Sequence, residues 1–177
     1  MSGADKQFLC SVPVLLVDVD GVISLFGFDP STPPPGRWLN VEGVLHLIST
    51  TAGEALRNLA RDFELVWCTG WEEKASAYLP QALGLPGATI HLSFDRNPGR
   101  ANAHWKLAAI EAYAGPSRPV AWVDDALDER CRAWAQARPG RTLLVETDPA
   151  EGLTAGHVAE LRDWAQSIVS NRTPSAR

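Results

Sequence analysis

Two aspartates that follow an apolar run are the residues of this 177-residue chain with the clearest chemical meaning. Residues 15–22 read LLVDVDGV, so a run typical of a buried strand ends on Asp18 and Asp20. Side chains two positions apart on an extended segment point the same way, so we expect both carboxylates to share a face before Gly21 turns the chain. Carboxylates so close repel each other. A Mg²⁺ ion bound by Asp18, Asp20 and a later aspartate, Asp124, would keep them ionised.

Two later apolar runs also end on polar residues. Thr69 and Gly70 occur in the segment WCTGW, and Asp124, Asp125 and Asp128 occur in the segment AWVDDALD. These residues also have a purely structural interpretation. Aspartate and glycine are ordinary turn residues, Thr69 could cap the next helix, and the later aspartates could cap or begin another.

The elements around these residues alternate between strand and helix. Five short apolar runs predict strands over 12–17, 63–67, 88–92, 119–123 and 141–145. Helical spacing predicts helices over 51–61, 72–83 (ended or kinked by Pro80), 101–113, 127–137 and 154–169. The alternation predicts an α/β protein, a three-layer Rossmann-like fold with a central, mostly parallel five-stranded sheet. Ligands bind such sheets beyond the carboxyl ends of the strands, where the strand order reverses, and the polar residues fall there.

The segment 24–49 breaks this alternation. It carries SLFGFDPSTPPPGRW and then LNVEGVLHLIS, and its residues 36–38 and 44–48 are predicted to form the arms of a β-hairpin. Long connections of this kind are usually functional, so we interpret 24–49 as a flap after the first strand. The length suits one domain over 1–177, with a frayed tail at 170–177.

The composition narrows the classes of partner. A net charge of -5 argues against a broad basic surface for nucleic acid, which leaves Arg37, Arg96 and Arg100 as candidate local contacts. No apolar stretch approaches the roughly 20 residues that cross a bilayer, so no membrane partner is expected. Three widely spaced cysteines, at positions 10, 68 and 131, and the lack of a recognisable leader predict a reduced, cytoplasmic protein.

The ordered set DVDGV, CTG, a lone lysine on a helix and VDD resembles the haloacid dehalogenase (HAD) superfamily of phosphohydrolases. The resemblance runs from about residue 12 to residue 145, and the phrases AWVDD and TGWEE also resemble the HAD domains of bacterial RNA-repair proteins. The short insertion resembles superfamily members with a minimal (C0-type) cap. Asp20 matters here, because the branch that attacks carbon–halogen bonds lacks this second aspartate.

The resemblance implies a role for each matching residue. Asp18 would be the nucleophile that takes the phosphoryl group, and Asp20 the general acid and base. Mg²⁺ would be held by the carboxylates of Asp18 and Asp124 and the backbone carbonyl of Asp20, with Asp125 or Asp128 orienting its waters. The implied phosphoryl-oxygen contacts are Thr69, Gly70 and Lys106.

Lys106 competes with Lys74 for the role of the site lysine. We favour Lys106 because its distance ahead of Asp124 fits the superfamily pattern, and because Lys74 follows two glutamates that would give it a local partner. Trp71 beside the site and Trp38 in the flap are candidates to stack on a base or sugar of the substrate.

The expected function is therefore a magnesium-dependent phosphohydrolase that acts on a phosphomonoester through an aspartyl phosphate. A short flap leaves the site open, which suits a large or extended substrate such as a nucleotide or a nucleic-acid end, or a homo-oligomer whose second subunit covers the site. Two alternatives stay open: a catalytically silent phosphate-binding or regulatory module with the same fold, and a phosphotransferase, which would share the covalent intermediate.

Overall fold

The computed structural model describes residues 12–86, 89–95 and 102–170 of the chain. Its centre is a five-stranded sheet made of β1 (Val14–Val17), β5 (Glu64–Trp67), β6 (Ile90–His91), β7 (Val120–Asp124) and β8 (Thr142–Glu146). The strands lie in the order β6-β5-β1-β7-β8, and every neighbouring pair is parallel. The predicted α/β fold with a parallel sheet is confirmed.

Helices cover both faces of this sheet. They are α1 (Thr50–Leu59), α2 (Glu73–Leu83), α3 (Leu107–Ala114), α4 (Glu129–Ala137) and α5 (Ala155–Ser170), and a 3-10 turn, Ala103–Lys106, leads directly into α3. None of the helices in the described ranges is long and apolar enough to cross a membrane.

Strand β1 lies in the middle of the sheet and contributes to two apolar cores. Leu15 and Val17 pack with residues of α1, α2 and α5, whereas Val14 and Leu16 pack on the opposite face with residues of α3 and α4. All four side chains are fully buried, as expected for a strand covered on both faces. A strand so enclosed is a rigid support for the residue that follows it, Asp18.

The flap is a small antiparallel sheet. Its strands β2 (Ser24–Leu25), β3 (Gly36–Val41) and β4 (Val44–Ser49) lie in the order β2-β4-β3. The hairpin predicted over 36–48 is present and gains β2 as a third strand. Glu42 and Gly43 connect β3 to β4 with φ angles of 51° and 90°, the two positive values that a tight two-residue hairpin turn requires.

Several element boundaries differ from the prediction. For α2 the predicted end at residue 83 is confirmed and only the option that Pro80 ends the helix is wrong, since α2 continues to Leu83 and stops at Gly84 in the left-handed conformation (φ 64°). Proline has no backbone N–H, so α2 lacks one helical hydrogen bond at Pro80. The burial of Leu79 and Leu83 on one face of the helix offsets the cost of that missing bond. Of the strand predicted over 88–92, only Ile90–His91 form a strand, while residue 88 lies outside the described residues. The predicted frayed tail also lies mostly outside them.

The helix predicted over 101–113 also starts differently, because its first described turn is the 3-10 turn. The backbone N–H of Ala103 donates a hydrogen bond to the Ala126 carbonyl at 2.9 Å, which ties this turn to the loop after β7. The tie brings Lys106 next to the end of β7. Residue 101 itself lies outside the described residues.

Candidate active site

The carboxyl ends of β1, β5 and β7 meet at the point where the strand order reverses. The Asp18 backbone N–H donates to the Val123 carbonyl at 3.0 Å, and the Cys68 N–H donates to the Val17 carbonyl at 2.8 Å. These bonds extend the parallel ladders by one residue past β1 and β5. Because of them, Asp18 emerges between the segment that carries Thr69 and the segment that carries Asp124.

Lys106 joins two of the aspartates. Its Nζ lies 2.9 Å from Asp18 Oδ2 and 2.6 Å from Asp124 Oδ2. The lysine is 3% exposed and Asp124 is fully buried, so both ion pairs lie in a region with little water. The remaining oxygens also have partners, since Asp18 Oδ1 accepts from the Val19 N–H at 2.8 Å and Asp124 Oδ1 from the Ala126 N–H at 3.0 Å. The rotamers of both carboxylates are thereby defined.

Asp18, Asp124 and Asp125 form an acidic cluster. Each offers a carboxylate oxygen, and these three oxygens lie within 4.8 Å of one another. Gly21 allows this approach: a Cβ atom at that position would lie 2.4 Å from the Asp125 carboxyl group, and its φ of 72° is in the left-handed region. The glycine of the DGV segment therefore does more than turn the chain, since it also makes room for the third acid.

The cluster carries more negative charge than Lys106 offsets. Burial and the Asp18 charge raise the pKa of Asp124, and the same two causes raise the pKa of Asp125 to about 6. Burial alone would lower the pKa of Lys106, but the carboxylates of Asp18 and Asp124 outweigh it and raise that pKa. Hard oxygen donors with an excess of negative charge are the ligands that Mg²⁺ prefers, so these residues fit the ion that the sequence predicts.

Asp20 lies apart from this cluster, at the mouth of the site. It is exposed, and its Oδ2 accepts a hydrogen bond from Trp71 Nε1 at 3.1 Å. Partial withdrawal from water and the neighbouring Asp18 carboxylate raise its pKa, although the bond from Trp71 acts in the opposite direction. A carboxyl group whose pKa is raised next to a second acidic side chain suits an acid paired with a nucleophile.

Thr69 and Gly70 lie in the same pocket, after β5. Thr69 is 1% exposed, and its Oγ1 accepts from the Trp71 N–H at 3.3 Å. The alternative role of Thr69 as a helix cap is wrong, because α2 is preceded by Glu72, which makes no side-chain capping bond. Trp105 lies on the far side of Gly70, 4.0 Å from where a Cβ would be.

The pocket above these residues has a volume of about 740 Å³. The flap supplies one of its walls through Phe26, Val41, Glu42, Val44 and His46. Asn102, Ala103 and Trp105 also line the pocket, together with the three carboxylates of the acidic cluster.

The local partner predicted for Lys74 is wrong. Its Nζ lies 2.5 Å from Oε2 of Glu42 at the tip of the flap, not beside either preceding glutamate. Both side chains are about half exposed, so this pair contributes little to stability. It does connect the flap to α2 across the rim of the pocket.

Asp128 has a role in the helix instead of in the acidic cluster. Its Oδ1 accepts from the Cys131 N–H at 3.0 Å and caps α4, while its Oδ2 lies 2.5 Å from His104 Nδ1. The sequence left open that one of the later aspartates caps a helix, and the residue that does so is Asp128. Sequence spacing could not reveal His104 as its partner, because the two residues belong to different elements.

Other candidates lie away from the pocket. Trp38 is 63% exposed and pairs across the hairpin with Leu47, on the face of the flap opposite to Leu39 and His46. Arg37 donates to the Ala82 carbonyl at 2.5 Å. Cys68 and Cys131 are buried free thiols. The two remaining candidate contacts, Arg96 and Arg100, lie outside the described residues, as does Cys10.

Comparison with protein families agrees with this geometry. A model described as the HAD domain in Swiss Army Knife RNA repair proteins matches residues 14–158, from β1 to the first turn of α5. No curated protein matches the chain. HAD domains are generally hydrolases, phosphatases among them, and typically use Mg²⁺. The suspected relationship is confirmed, and the chain belongs to the family of HAD domains in Swiss Army Knife RNA repair proteins.

Proposed function

We propose that the protein is a magnesium-dependent phosphohydrolase that acts on phosphomonoesters through a covalent phosphoryl group on Asp18. One observation carries the proposal. The Asp18 carboxylate, which follows the central strand, lies 2.9 Å from the buried ammonium of Lys106 and beside Asp124 and Asp125, at the floor of an open pocket. A nucleophilic carboxylate must meet an anionic phosphate, and such an encounter needs positive charge nearby.

The proposed reaction has two steps. An Asp18 oxygen forms a bond to phosphorus while the bond from phosphorus to the leaving oxygen breaks, and the leaving oxygen takes the electron pair and a proton from Asp20. Asp20, now a carboxylate, then takes a proton from a water molecule whose oxygen bonds to phosphorus. The Asp18–phosphorus bond breaks, which restores both aspartates and releases inorganic phosphate.

The remaining residues bind and orient the reacting group. Lys106 would offset charge on the phosphoryl oxygens, and the Thr69 hydroxyl and Gly70 N–H would hold those oxygens. Asp18, Asp124 and the Asp20 carbonyl would hold Mg²⁺, with Asp125 in or beside its ligand shell. When bound, the ion supplies charge that reduces the repulsion between nucleophile and substrate.

Hydrolysis of an aryl phosphate with Mg²⁺ and with EDTA tests this proposal. We expect phosphate release by the wild type to require the metal, and Asp18→Asn to lose it with an unchanged circular dichroism spectrum, because the amide has the shape of the carboxylate but is a poor nucleophile. Absence of activity from the wild type, under both conditions and across the substrate panel below, would support a silent phosphate-binding module. If adding an acceptor alcohol diverted most of the phosphoryl group from water, the protein would be a phosphotransferase.

We further propose that the substrate is a phosphorylated nucleic-acid end or nucleotide. The flap covers only one side of the pocket, and Phe26, Trp71 and Trp105 line it with aromatic rings on which a base could stack. Relatives of the family occur in RNA repair proteins, as the family description states. Few cations line the pocket, so we expect contacts beyond the reacting phosphate to be mainly stacking contacts.

A panel of 5′- and 3′-phosphorylated oligonucleotides, nucleotides and small phosphorylated metabolites would test this choice by phosphate release. Higher kcat/KM on the oligonucleotides supports it. A clear preference for a small metabolite would contradict it, and a strong dependence of kcat/KM on protein concentration would favour a second subunit that covers the site.

A further inference from the structure

The hydrogen bond between Trp71 and Asp20 has a specific chemical consequence. Trp71 Nε1 lies 3.1 Å from Asp20 Oδ2, and this bond joins two residues that are 51 positions apart in the chain. An indole N–H can only donate, so the oxygen that it holds must accept through a lone pair. When Asp20 is protonated, its proton is therefore directed to the other oxygen, Oδ1.

The indole ring is itself held from the flap. The ring centroids of His46 and Trp71 are 4.5 Å apart in an edge-to-face arrangement. His46 Nδ1 in turn lies 3.0 Å from the hydroxyl of Ser24, which is 4% exposed, and the Gly21 N–H donates to the Ser24 carbonyl at 2.9 Å. A continuous set of contacts thus runs from the buried base of the flap through His46 to Trp71.

Asp20 needs such support because of where it lies. Its side chain is exposed, whereas Asp18 and Asp124 are buried and each accept a backbone N–H bond. A carboxyl group at the mouth of a pocket populates several rotamers, and proton transfer requires one that reaches the leaving oxygen. Trp71 is the residue in the described structure that donates to this carboxyl group from a side chain.

We propose that Trp71 is a positioning residue, which holds Oδ2 of Asp20 so that Oδ1 delivers the proton to the leaving group, and that His46 braces its ring. This inference rests on the proposed function. It differs from the role in substrate stacking that the sequence suggests for Trp71, because its effect depends on the leaving group. In the first step the proton of Asp20 moves to the leaving oxygen as the bond to phosphorus breaks, and Asp20 is left as a carboxylate.

The basicity of the leaving group separates the two roles. A p-nitrophenolate leaves as a stable anion and needs little protonation, whereas an alkoxide leaves only with a proton. A residue that orients the general acid therefore affects an alkyl phosphate far more than an aryl phosphate. A residue that only binds substrate or stabilises the fold affects both esters by similar factors.

The test is Trp71→Phe, which keeps an aromatic ring for His46 but removes the N–H. We expect kcat/KM, which reports only the first step, to fall about tenfold for an alkyl phosphate and less than about twofold for p-nitrophenyl phosphate, since a general acid contributes about 10²- to 10⁴-fold and orientation is only part of that. Trp134→Phe is the matched control, because Trp134 Nε1 donates to the Glu111 carboxylate at 2.7 Å, outside the pocket. We expect this control to leave the ratio of the two rates unchanged.

A second measurement follows the contact directly. In ¹⁵N-labelled protein, the indole proton of Trp71 should exchange with water faster in Asp20→Ala than in the wild type, and that of Trp134 should not change. Unchanged exchange at Trp71, or equal losses on both esters in Trp71→Phe while the wild type is active, would overturn this inference alone. A wild type that hydrolyses neither ester and no member of the substrate panel overturns the proposed function, and the positioning role with it.

Discussion

Replacing Lys106 by methionine should destabilise the metal-free protein far more than a typical surface substitution. Lys106 is 3% exposed, and its ammonium group contacts two carboxylates, at 2.9 Å from Asp18 and 2.6 Å from Asp124. Methionine has nearly the same length, so it fills most of the space of the lysine side chain without its charge. The variant would leave the acidic cluster buried with no cation beside it.

The size of the effect follows from the burial of these charges. With an effective dielectric constant of about 20, each pair at such a separation gives on the order of 6 kcal/mol of Coulomb attraction, before the cost of desolvation is subtracted. Removing one partner of a buried ion pair costs about 3–5 kcal/mol in measured cases. We expect the free energy of unfolding to fall by about 3–5 kcal/mol, or the Tm by about 6–20 °C for a chain of this size.

The same reasoning predicts how pH and metal change this loss. Asp124 and Asp125 take up protons more readily in the folded chain than in the unfolded chain, because their folded pKa values are raised. Without Lys106 those values should rise further, so the loss should be larger at pH 8 than at pH 6. Mg²⁺ that binds only the folded chain should recover part of it, since a ligand at about 100 times its Kd adds about 2.7 kcal/mol.

Urea unfolding of the wild type and of Lys106→Met, in EDTA and in MgCl₂ at pH 6 and pH 8, measures the destabilisation, its dependence on pH and its recovery by Mg²⁺. Lys74→Met is the matched control, because its ion pair with Glu42 is about half exposed and should contribute little to stability. Equal losses in the two methionine variants would refute the reasoning. A Lys106→Met variant that Mg²⁺ does not stabilise would refute the part that concerns the metal.

The remaining predictions concern the acidic loops and the helix cap. Gly21→Ala should unfold more easily by at least about 1–2 kcal/mol, the cost of a left-handed side chain, and should also weaken Mg²⁺ binding, because its Cβ would lie 2.4 Å from the Asp125 carboxyl group. Gly27→Ala is the control, because Gly27 has a similar φ of 78° and a Cβ there would have nothing within 4 Å. Urea unfolding should show the cost of the left-handed backbone in this variant, and metal titration should show unchanged Mg²⁺ binding. Without metal, the free energy of unfolding should fall as pH rises from about 5 to 8, because Asp124 and Asp125 then lose protons that the folded chain binds more tightly, and Asp125→Asn should reduce this slope. Asp128→Ala should cost about 0.5–2 kcal/mol through the lost cap of α4 with Mg²⁺ affinity unchanged. Partial burial would raise the pKa of Asp128, but its hydrogen bonds from His104 and Cys131 lower it to about 2. The stability that the ionised Asp128 adds is therefore complete above the unfolded pKa of about 3.9 and is lost as pH falls towards 2.

Different results would contradict these statements one by one. Equal metal affinities in the two alanine variants would show that Gly21 is needed only for its backbone angle. Stability that rises with pH in EDTA would mean that the folded chain lowers the pKa values of Asp124 and Asp125 instead of raising them, so that Lys106 offsets the negative charge of the cluster. A large loss of Mg²⁺ affinity in Asp128→Ala would return this residue to the ligand shell.

Local patterns in the sequence determined the strands and the identity of most candidate residues. The apolar runs that end at positions 17, 67 and 123 each precede an acid or a threonine, and a parallel sheet places such strand ends at one edge. The prediction that Asp18 and Asp124 come together needed only this rule. The predicted range 72–83 of α2 agrees with the observed Glu73–Leu83, although Pro80 lies inside the helix. The start of the helix predicted from residue 101 was wrong, because the contact between Ala103 and Ala126 overrode local preference.

Contacts between distant segments were decided only by the tertiary structure. Sequence spacing placed Lys74 beside its neighbouring glutamates, yet the folded flap brings Glu42 to it across the pocket. Asp128 differs from Asp125 only through its position at the start of α4, where free backbone N–H groups attract its carboxylate. The bond from Trp71 to Asp20 likewise depends on how the flap and the loop after β5 pack together. Periodicity determines which residues face one edge of a sheet, but the orientation of each polar group depends on partners from other elements.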